Sequence, residues 1–427
     1  MFDILIVGGG AAGFYAAIHA AEANPKLKIA ILERGKEVLT KVKVSGGGRC
    51  NVTHAEFDPN ELVKSYPRGE KELKGPFHTY CSGDTISFFE NRGIALKIEE
   101  DGRMFPESNT SKTIIDCFVT EAERLGVKLL RNSSVIAIEP IAILEEQPFD
   151  GWMVESIQKK YYAKKILVAT GSNPKVWKLM EKLGHTIITP VPSLFTFNIK
   201  DPRIEGIPGV STYATVEVLE KILPNKVTIN LKSKEAAKAL LFSDGPLLIT
   251  HWGMSGPAIL KLSAWGAREL HDWNYKFVIR VNWLPEYHEE GMLLLLMQIK
   301  DVEAKKTVLR TNAVDVPRRL WVNLVKASGI DETIKWGDIT KIQLQNLAKE
   351  LTAGEYFVDG KSTFKEEFVT AGGIDLKEIN FKTYESKIAK NLFFAGEVIN
   401  VDAITGGFNF QNAWTSAYIA AQAIAKV

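Results

Sequence analysis

The chain has 427 residues, of which 45% are hydrophobic and 24% charged, and its formal net charge is +2. This composition is typical of a globular protein, and a charge so close to zero gives no general argument for a nucleic-acid or anionic-membrane partner. No stretch reaches the roughly 18 apolar residues of a membrane span, and no basic and apolar leader precedes the first strand. We therefore expect a protein of two or three domains without a membrane segment.

Cysteine and histidine usage argues against a structural metal. The three cysteines, Cys50, Cys81 and Cys117, are far apart in the sequence, and the seven histidines form no H-x-x-x-H pair. A dithiol pair or a zinc site would need much closer spacing. We expect a reduced, cytoplasmic protein with no metal.

The first 33 residues predict a dinucleotide-binding βαβ unit. Ile4–Val7 is an aliphatic strand, an alanine-rich helix follows it, and a second buried strand ends at Glu33. The pattern G-x-G-x-x-G lies between the first strand and the helix, at Gly8, Gly10 and Gly13. The first glycine permits a tight turn, the second the approach of a pyrophosphate, and the third close packing of helix and strand, while the acid can bind an adenosine ribose.

A second glycine cluster follows at residues 45–51. Three successive glycines lie between Ser45 and Arg49, a sequence that favours neither helix nor strand. One interpretation is a flexible loop. The other is a second phosphate-contacting loop, in which glycine permits close approach and Arg49 supplies charged donors. Its proximity in sequence to the dinucleotide unit favours the second interpretation.

The next part of the chain predicts mixed α/β structure up to residue 171. Helices are expected over Thr79–Arg92 and Ser111–Arg124, with a hairpin around Asp101–Gly102 between them. A small meander of strands begins at Val135. It leads into the buried run Ile166–Gly171, whose terminal glycine turn is a second place where a doubly wound sheet can present backbone to a ligand.

The pattern changes near Pro190, where several prolines interrupt the chain. The following strands alternate more clearly, as in an antiparallel sheet or small barrel, and from Tyr287 to Leu351 the periodicity is mostly helical. After residue 360 the chain returns to strand and glycine turns. We therefore expect an α/β protein with a discontinuous Rossmann-like domain at 1–192 and 361–427, and an inserted β-barrel-like plus helical substrate domain at 193–360.

This order of domains favours flavin over nicotinamide as the bound cofactor. A nicotinamide dehydrogenase usually places its substrate domain after one complete Rossmann sheet, whereas here a domain is inserted. In the returning segment a short strand closes on Gly396 and Glu397, and a loop through Asp402 reaches Gly406–Gly407 and a final helix. The N-terminus of that helix would stabilise the negative charge of a reduced flavin.

The chain resembles the BaiN-like flavoproteins, also described as NAD(P)/FAD-dependent oxidoreductases or aminoacetone-oxidase-family FAD-binding proteins. The matching segments are Ile4 to Gly13, Lys43 to Thr53, Thr250 to Ala258, Thr370 to Gly373 and Phe394 to Gln411. They extend over the whole length, and the string Ser-Gly-Gly-Gly-Arg-Cys-Asn is especially discriminating. The resemblance implies a Rossmann-like FAD-binding domain with an inserted barrel-plus-helical domain.

The resemblance also implies which residues bind the cofactor: the first glycine turn and Arg49 the pyrophosphate, Glu33 the ribose, and the later turns the rest of FAD. The expected FAD-binding residues are Gly8, Gly10, Ala11, Ala12, Gly13, Glu33, Arg34, Ser45, Gly46, Gly47, Gly48, Arg49, Cys50, Asn51, Val135, Ala169, Thr170, Gly171, Gly396, Glu397, Asp402, Gly406, Gly407, Phe408, Asn409 and Gln411.

The sequence leaves the substrate open. The resemblance suggests hydride transfer that reduces an unsaturated carbonyl compound, with NAD(P)H as a transient donor, and the alternatives are amine oxidation with O2 or action on tRNA. We expect the substrate pocket between the flavin and the inserted domain, because sites favour domain interfaces. His251 is the candidate acid or base, and a hydrogen-bonded structural histidine is the other interpretation.

The predicted partner is a small molecule, and the protein is expected to be a monomer or a weak homo-oligomer. A nucleic-acid partner is not expected. The lysines at 232, 234 and 238 are spaced like a solvated helix face, and neither they nor the pair Arg318–Arg319 are accompanied by a stripe of stacking aromatic residues.

Overall fold

The computed structural model describes residues 1–141, 151–222, 228–230, 241–311, 313–362 and 369–426. The chain forms two compact units, the first comprising Met1–Val191 and Lys365–Val427 and the second Pro192–Phe364. Each unit has a hydrophobic core of its own. Among the helices in the described ranges, none has the length and apolar character needed to cross a bilayer.

The strands and helices of the first unit come from both ends of the chain. Its strands are β1 (Phe2–Val7), β2 (Ile29–Leu32), β3 (Thr53–His54), β4 (Leu96–Ile98), β5 (Arg103–Pro106), β6 (Lys128–Leu130), β7 (Val135–Ile141), β8 (Gly151–Ser156), β9 (Lys160–Val168), β10 (Ile187–Pro192), β19 (Thr370–Ile374), β20 (Ile379–Asn380), β21 (Glu385–Ser386) and β22 (Leu392–Phe394). Its helices are α1 (Ala11–Ala23), α2 (Thr40–Gly48), α3 (Pro59–Leu62), α4 (Glu70–Thr79), α5 (Ser82–Glu90), α6 (Ser111–Arg124), α7 (Pro174–Lys182) and α13 (Phe408–Ile424).

A parallel sheet organises the first unit. Its central strands run in the order β22-β9-β1-β2-β6, with parallel pairing throughout. Val7 lies opposite both Leu32 and Val168, so three strands end at the same edge. Strand β2 and the last residues of β1 and β9 are aliphatic and buried on both faces, as the centre of a parallel sheet covered by helices requires. Because parallel strands end together, the turns that follow β1, β2 and β9 meet at this edge.

Helices α1, α6 and α13 pack against one another in the core of the first unit. Alanines at 16, 17, 20 and 21 on α1 are buried, and their small side chains permit close approach to α13. Between the helices lies an aromatic cluster that includes Tyr15, Phe118 and Trp414. The last helix of the chain is therefore built into the same core as the first.

The second unit contains an antiparallel sheet and a helical part. Its strands are β11 (Thr196–Asn198), β12 (Ser211–Ile222), β13 (Thr228–Asn230), β14 (Phe242–Ile249), β15 (Gly253–Ser255), β16 (Lys276–Asn282), β17 (Gly354–Asp359) and β18 (Lys361–Ser362). Its helices are α8 (Pro257–Trp265), α9 (Ala267–Asp272), α10 (Glu289–Val302), α11 (Arg318–Ala327) and α12 (Lys341–Thr352).

The sheet of the second unit curls towards closure. Its strand order is β17-β16-β12-β14-β15-β11-β18, and β11 also approaches β17 from the far end of this order. Buried and exposed residues alternate along β14, β16 and β17. This alternation buries one face in the core and leaves the other to solvent. The predicted α/β class, a Rossmann-like domain with an inserted barrel-like and helical domain, is confirmed.

Several element boundaries differ from the sequence prediction. The helix predicted from Thr79 begins at Ser82, because the Cys81 N–H donates to the Asp84 carboxylate at 2.8 Å and this capping contact fixes the helix start. The region 55–76, for which no helix was predicted, contains α3 and the start of α4. The final helix begins at Phe408, immediately after the glycine pair.

Candidate cofactor site

The turn between β1 and α1 combines two sterically required glycines with one open position. Gly8 has a φ of 116°, and a Cβ there would overlap the carbonyl of Ala169. A Cβ on Gly13 would overlap the Gly8 carbonyl, whereas nothing lies within 4 Å of the position that a Cβ on Gly10 would take. No side chain caps the start of α1, which lies at this opening and continues with Ala11 and Ala12. Its N–H groups and partial positive charge are therefore available to a phosphate.

Glu33 follows β2 and borders the same turn. One of its oxygens accepts from the Gly9 N–H at 2.9 Å and the other from the Gly35 N–H at 2.7 Å. These contacts fix the carboxylate, and each oxygen keeps acceptor capacity for a hydroxyl group. The arrangement suits the recognition of a ribose.

A cavity of about 150 Å³ lies beside the carboxylate of Glu33. It is lined by Val7, Gly8, Leu32, Glu33, Arg34, Ser133, Ser134, Val135, Thr170, Asn173, Lys175 and Val176. The structure thus brings together five predicted residues, Gly8, Glu33, Arg34, Val135 and Thr170, from four separate segments. The Thr170 Oγ1 is buried and has no hydrogen-bond partner among the described residues. A polar, concave space with an unpaired hydroxyl fits the adenosine part of a dinucleotide.

Ala169, Thr170 and Gly171 leave the end of β9 next to Glu397. Gly171 has a φ of 58°, and a Cβ there would lie 3.4 Å from a Glu397 oxygen. The other oxygen of that carboxylate accepts from the Thr370 N–H at 3.2 Å. The Thr370 hydroxyl is buried without a partner among the described residues. Glu397 also forms an ion pair with Lys41.

The cluster at 45–51 is a kinked helix end. Gly46, Gly47 and Gly48 all have positive φ, and no heavy atom lies within 4 Å of a Cβ built on Gly47. Ser45 donates its hydroxyl to the carbonyl of Val42. Arg49, predicted to contact the pyrophosphate, donates to Glu99 at 2.6 Å, and its guanidinium stacks 3.9 Å from the ring centre of Phe105. The cation is therefore occupied within the protein.

Cys50 and Asn51 point into the protein. Cys50 is fully buried, and burial raises the pKa of its thiol to about 12, so the thiol is protonated at neutral pH. In the amide orientation that its neighbours satisfy, the Asn51 side chain accepts from the Gly407 N–H at 3.0 Å and donates to the carbonyls of Thr53 and Met104. Asn51 thus connects this cluster to the second glycine turn, at the other end of the chain.

The loop before α13 is held by two side chains. Asp402 is completely buried and forms a two-pronged ion pair with Arg68. Asn409 accepts from the N–H of Ala403 and donates to its carbonyl, both at 3.0 Å. These contacts give the loop a defined shape.

The start of α13 is fixed from the N-terminal part of the chain. Gly407 has a φ of 98°, and a Cβ there would lie 2.5 Å from the carbonyl oxygen of Thr53. The Tyr66 hydroxyl donates to the Phe408 carbonyl at 2.6 Å. A neighbouring contact joins His54 to the Gly406 carbonyl at 3.1 Å. As at α1, no side chain caps the helix, so its terminal N–H groups remain available.

Gln411 is oriented inwards. Its side-chain oxygen accepts from Thr53 at 2.6 Å and from Thr85 at 3.0 Å, and its amide donates to Thr415. The residue is completely buried, and this polar network satisfies its amide. Gln411 therefore positions the first turns of α13.

His251 lies in the second unit, in the tight turn between β14 and β15. Its ring is exposed, next to the half-exposed Trp252. The turn is closed by the bond from the Thr250 N–H to the Gly253 carbonyl at 2.8 Å. It holds the imidazole at the surface of the second unit, where it is free to contact a substrate.

Comparison with known proteins agrees with this geometry. The sequence model of the family described as HI0933-like protein Rossmann domain matches residues 2–423. The chain belongs to this family. The resemblance to BaiN-like flavoprotein oxidoreductases predicted from the sequence is thereby confirmed.

Two relatives of the HI0933-like chain align over nearly its whole length. The ribosomal RNA dihydrouridine synthase of Haemophilus influenzae is 28% identical, with 99% of this chain and 98% of the relative covered. The 3-dehydro-bile acid delta(4,6)-reductase of Clostridium scindens is 26% identical, with 100% of both covered. Among solved structures, the 3-ketosteroid-delta4-(5alpha)-dehydrogenase of Rhodococcus jostii RHA1 matches with a TM-score of 0.51 and 11% identity, over 100% of this chain and 97% of that chain, which shows a shared fold.

Sequence reasoning missed four residues that this family member places at the site. They are Lys41, Tyr66, Arg68 and Thr370. Thr370 lies in a segment that carried the family resemblance, so it could have been predicted as a site residue from the sequence. The other three act through partners more than 330 positions away, which no local pattern reveals.

Of the basic residues weighed for nucleic-acid binding, Lys232, Lys234 and Lys238 lie outside the described residues. Arg318 and Arg319 are exposed on the first turn of α11. The expectation of no nucleic-acid partner stays a prediction.

Proposed function

We propose that the protein is an FAD-dependent oxidoreductase that reduces a carbon–carbon double bond conjugated to a carbonyl group, with NADH or NADPH as the hydride donor. The observation that supports this most is the open, uncapped turn at Gly8–Gly13 beside the cavity that Glu33 borders. The family match and the second uncapped helix at Gly407 favour a flavin dinucleotide.

The residues fit the parts of FAD in order. The cavity with Glu33 and Thr170 would hold the adenosine, and the N–H groups at the start of α1 would bind the pyrophosphate where Gly10 leaves space. Glu397 and Thr370 offer an acceptor and an unpaired hydroxyl to the next part of the molecule. When bound, FAD supplies the hydride-transfer chemistry. The uncapped start of α13 provides partial positive charge that stabilises negative charge placed near it.

The reaction class is supported by what the two relatives' names have in common. Dihydrouridine is uridine with a saturated double bond next to a ring carbonyl, and a delta(4,6)-reductase of a 3-dehydro compound saturates double bonds conjugated to a ketone. Both reactions add a hydride to one carbon and a proton to the other.

The proposal further assigns the acid to His251. Saturating a conjugated double bond requires a proton donor at the carbon next to the carbonyl. The His251 imidazole is exposed in the turn between β14 and β15, and imidazole is a side chain that serves as a general acid. No contact in the described structure favours amine oxidation.

The test begins with a visible spectrum of the purified protein and anaerobic titration with NADH and NADPH. We expect a bound flavin spectrum that bleaches with at least one of the two. The reduced protein is then mixed with a 4-en-3-one steroid or a uridine-containing RNA hairpin, and the oxidised protein is mixed separately with a primary amine. Reoxidation by either unsaturated compound supports the proposal and identifies the substrate class. A colourless protein that does not take up FAD, or flavin reduction by the amine alone, would overturn it.

A further inference from the structure

Lys41 lies where two segments flank the start of α1. The N–H of Leu39 donates to the Gly9 carbonyl at 2.9 Å, so α2 begins against the dinucleotide turn. From the other side, Gly396 packs on α1, and a Cβ on it would lie 3.1 Å from the Cβ of Ala12. The ion pair between Lys41 and Glu397 connects these two segments. The pair therefore joins segments that contact Gly9 and Ala12, the residues on either side of the opening at Gly10.

The ion pair between Lys41 and Glu397 is weak enough for another anion to replace Glu397 as the partner of the lysine. The Lys41 side chain is 49% exposed and that of Glu397 19% exposed. Pairs with so much exposure contribute roughly 0–1 kcal/mol, because solvent screens them and long side chains lose freedom on pairing. Glu397 also keeps its contact with the Thr370 N–H, so it remains anchored when the lysine leaves.

A pyrophosphate at the start of α1 would be stabilised by a nearby cation in addition to the helix N–H groups. Arg49 is paired with Glu99 and stacked on Phe105. On α2, Lys43 pairs with Glu37 at 3.2 Å. Lys41 is the α2 lysine whose partner is itself a predicted cofactor residue.

We propose that Lys41 is a charge-exchange residue of the cofactor site. In the cofactor-free protein it pairs with Glu397. When FAD binds, its ammonium moves to the pyrophosphate, and the Glu397 oxygen it leaves becomes available to a hydroxyl donor of the cofactor. The exchange replaces one ion pair with another, so Lys41 stays neutralised throughout. This inference rests on the proposed FAD-dependent function and adds the residue that retains the cofactor.

The test compares Lys41→Gln with Lys41→Arg and with Lys43→Gln, a matched lysine on the same helix. FAD release from the holoprotein is followed by the rise of flavin fluorescence after dilution, at low and high KCl. We expect K41Q to release FAD about tenfold faster and to lose most of the salt dependence, since one charge-assisted contact is removed. K41R restores wild-type release, and K43Q leaves it unchanged.

Cofactor fragments separate a phosphate contact from a structural role. Binding of ADP and of riboflavin to FAD-depleted protein is measured by calorimetry and fluorescence. We expect K41Q to weaken ADP about tenfold and leave riboflavin unchanged, and to have the same effect in a Glu397→Gln background. Equal weakening of ADP and riboflavin, or disappearance of the K41Q effect in E397Q, would show that Lys41 acts only through Glu397, and the inference would be wrong.

Two further outcomes distinguish this inference from the proposed function. If the wild-type protein binds FAD and K41Q releases it at the wild-type rate, charge exchange is refuted while the flavoprotein proposal remains. If the wild-type protein binds no FAD, both are refuted together.

Discussion

At the scale of single residues, Gly10 and Gly13 share one motif but have opposite surroundings. A side chain on Gly13 would overlap the Gly8 carbonyl, whereas one on Gly10 would meet empty space. Gly13 is thus required by the fold, because helix and strand approach closely there. We propose that Gly10 is required by a ligand, because the space in front of it is where the pyrophosphate would lie.

Gly10→Val tests this difference. Gly10 has φ −93° and ψ −168°, an extended conformation that valine adopts readily. We expect the free energy of unfolding to change by less than about 0.5 kcal/mol, and FAD affinity to fall by about a hundredfold or more. Urea unfolding of the FAD-depleted protein and flavin fluorescence measure the two quantities. Gly13→Val is the control, since it should destabilise the fold itself.

His19 carries the pH dependence that the structure supports best. It lies on α1 among the rings of Tyr15, Phe88 and Tyr418, and burial, helped by the charge of Arg92, lowers the pKa of its imidazole from 6.5 to about 3. The folded state therefore prefers the neutral form. The resulting stability is fully present above pH 6.5 and is lost as the pH falls from 6.5 towards 3.

The variant His19→Phe should remove this acid sensitivity. Between pH 7.5 and pH 5 the wild-type protein should lose about 2 kcal/mol more unfolding free energy than the variant, because an imidazole with a pKa of 6.5 in the unfolded chain takes up the proton there. Urea unfolding at the two pH values measures the difference. The control is His78→Gln, at an exposed histidine, which should lose as much unfolding free energy as the wild-type protein. If H19F also loses as much as the wild-type protein, the assignment to His19 is wrong.

At the scale of elements, the N-terminus of α13 depends on contacts with a distant segment. Asn51, Thr53 and Tyr66 all contact residues 407–411, and the Trp414 indole donates to the Val52 carbonyl at 2.8 Å. The contacts from residues 51–66 thus fix where the last helix begins. These contacts account for the start of the helix at Phe408, directly after the glycine pair.

Gly407→Ala tests the contact between the start of α13 and the segment 51–66. The backbone at Gly407 is left-handed, and the added Cβ would lie 2.5 Å from the Thr53 carbonyl oxygen. We expect a loss of about 2–4 kcal/mol in unfolding free energy, from backbone strain and displacement of β3. Thermal and urea unfolding measure it, and Gly329→Ala, a glycine with positive φ and no close neighbour, is the control for strain alone. Equal losses in the two variants would contradict the proposed steric role.

At the scale of the whole molecule, the proposed cofactor residues and the proposed acid belong to different units. The cofactor residues belong to the first unit, and His251 belongs to the second, each with a separate core. Cofactor binding and proton donation should therefore respond to mutation independently.

His251→Asn should separate the two half-reactions. We expect unchanged FAD content and unchanged flavin reduction by NAD(P)H, with reoxidation by the unsaturated substrate slowed about a hundredfold, the usual contribution of a general acid. Stopped-flow absorbance measures both half-reactions. Trp252→Phe is the control at the neighbouring residue. If H251N is reoxidised at the wild-type rate, a group other than His251 donates the proton.

The sequence alone determined the dinucleotide turn and its class of ligand. Gly8, Gly13 and Glu33 could be assigned because a buried strand, a glycine turn and a helix are specified by neighbouring residues. The α/β class and the family followed from the same local patterns. The structure placed these three residues together as the pattern requires.

The ion pairs between distant charged side chains follow from the tertiary fold and could not be predicted from the sequence. Arg49 and Asp402, both predicted to contact FAD, form ion pairs with Glu99 and Arg68. Lys41 was not predicted, and its partner is 356 positions away. The physical reason is that a charge is satisfied by whichever opposite charge the folded chain brings near it, and sequence distance contains no record of that approach.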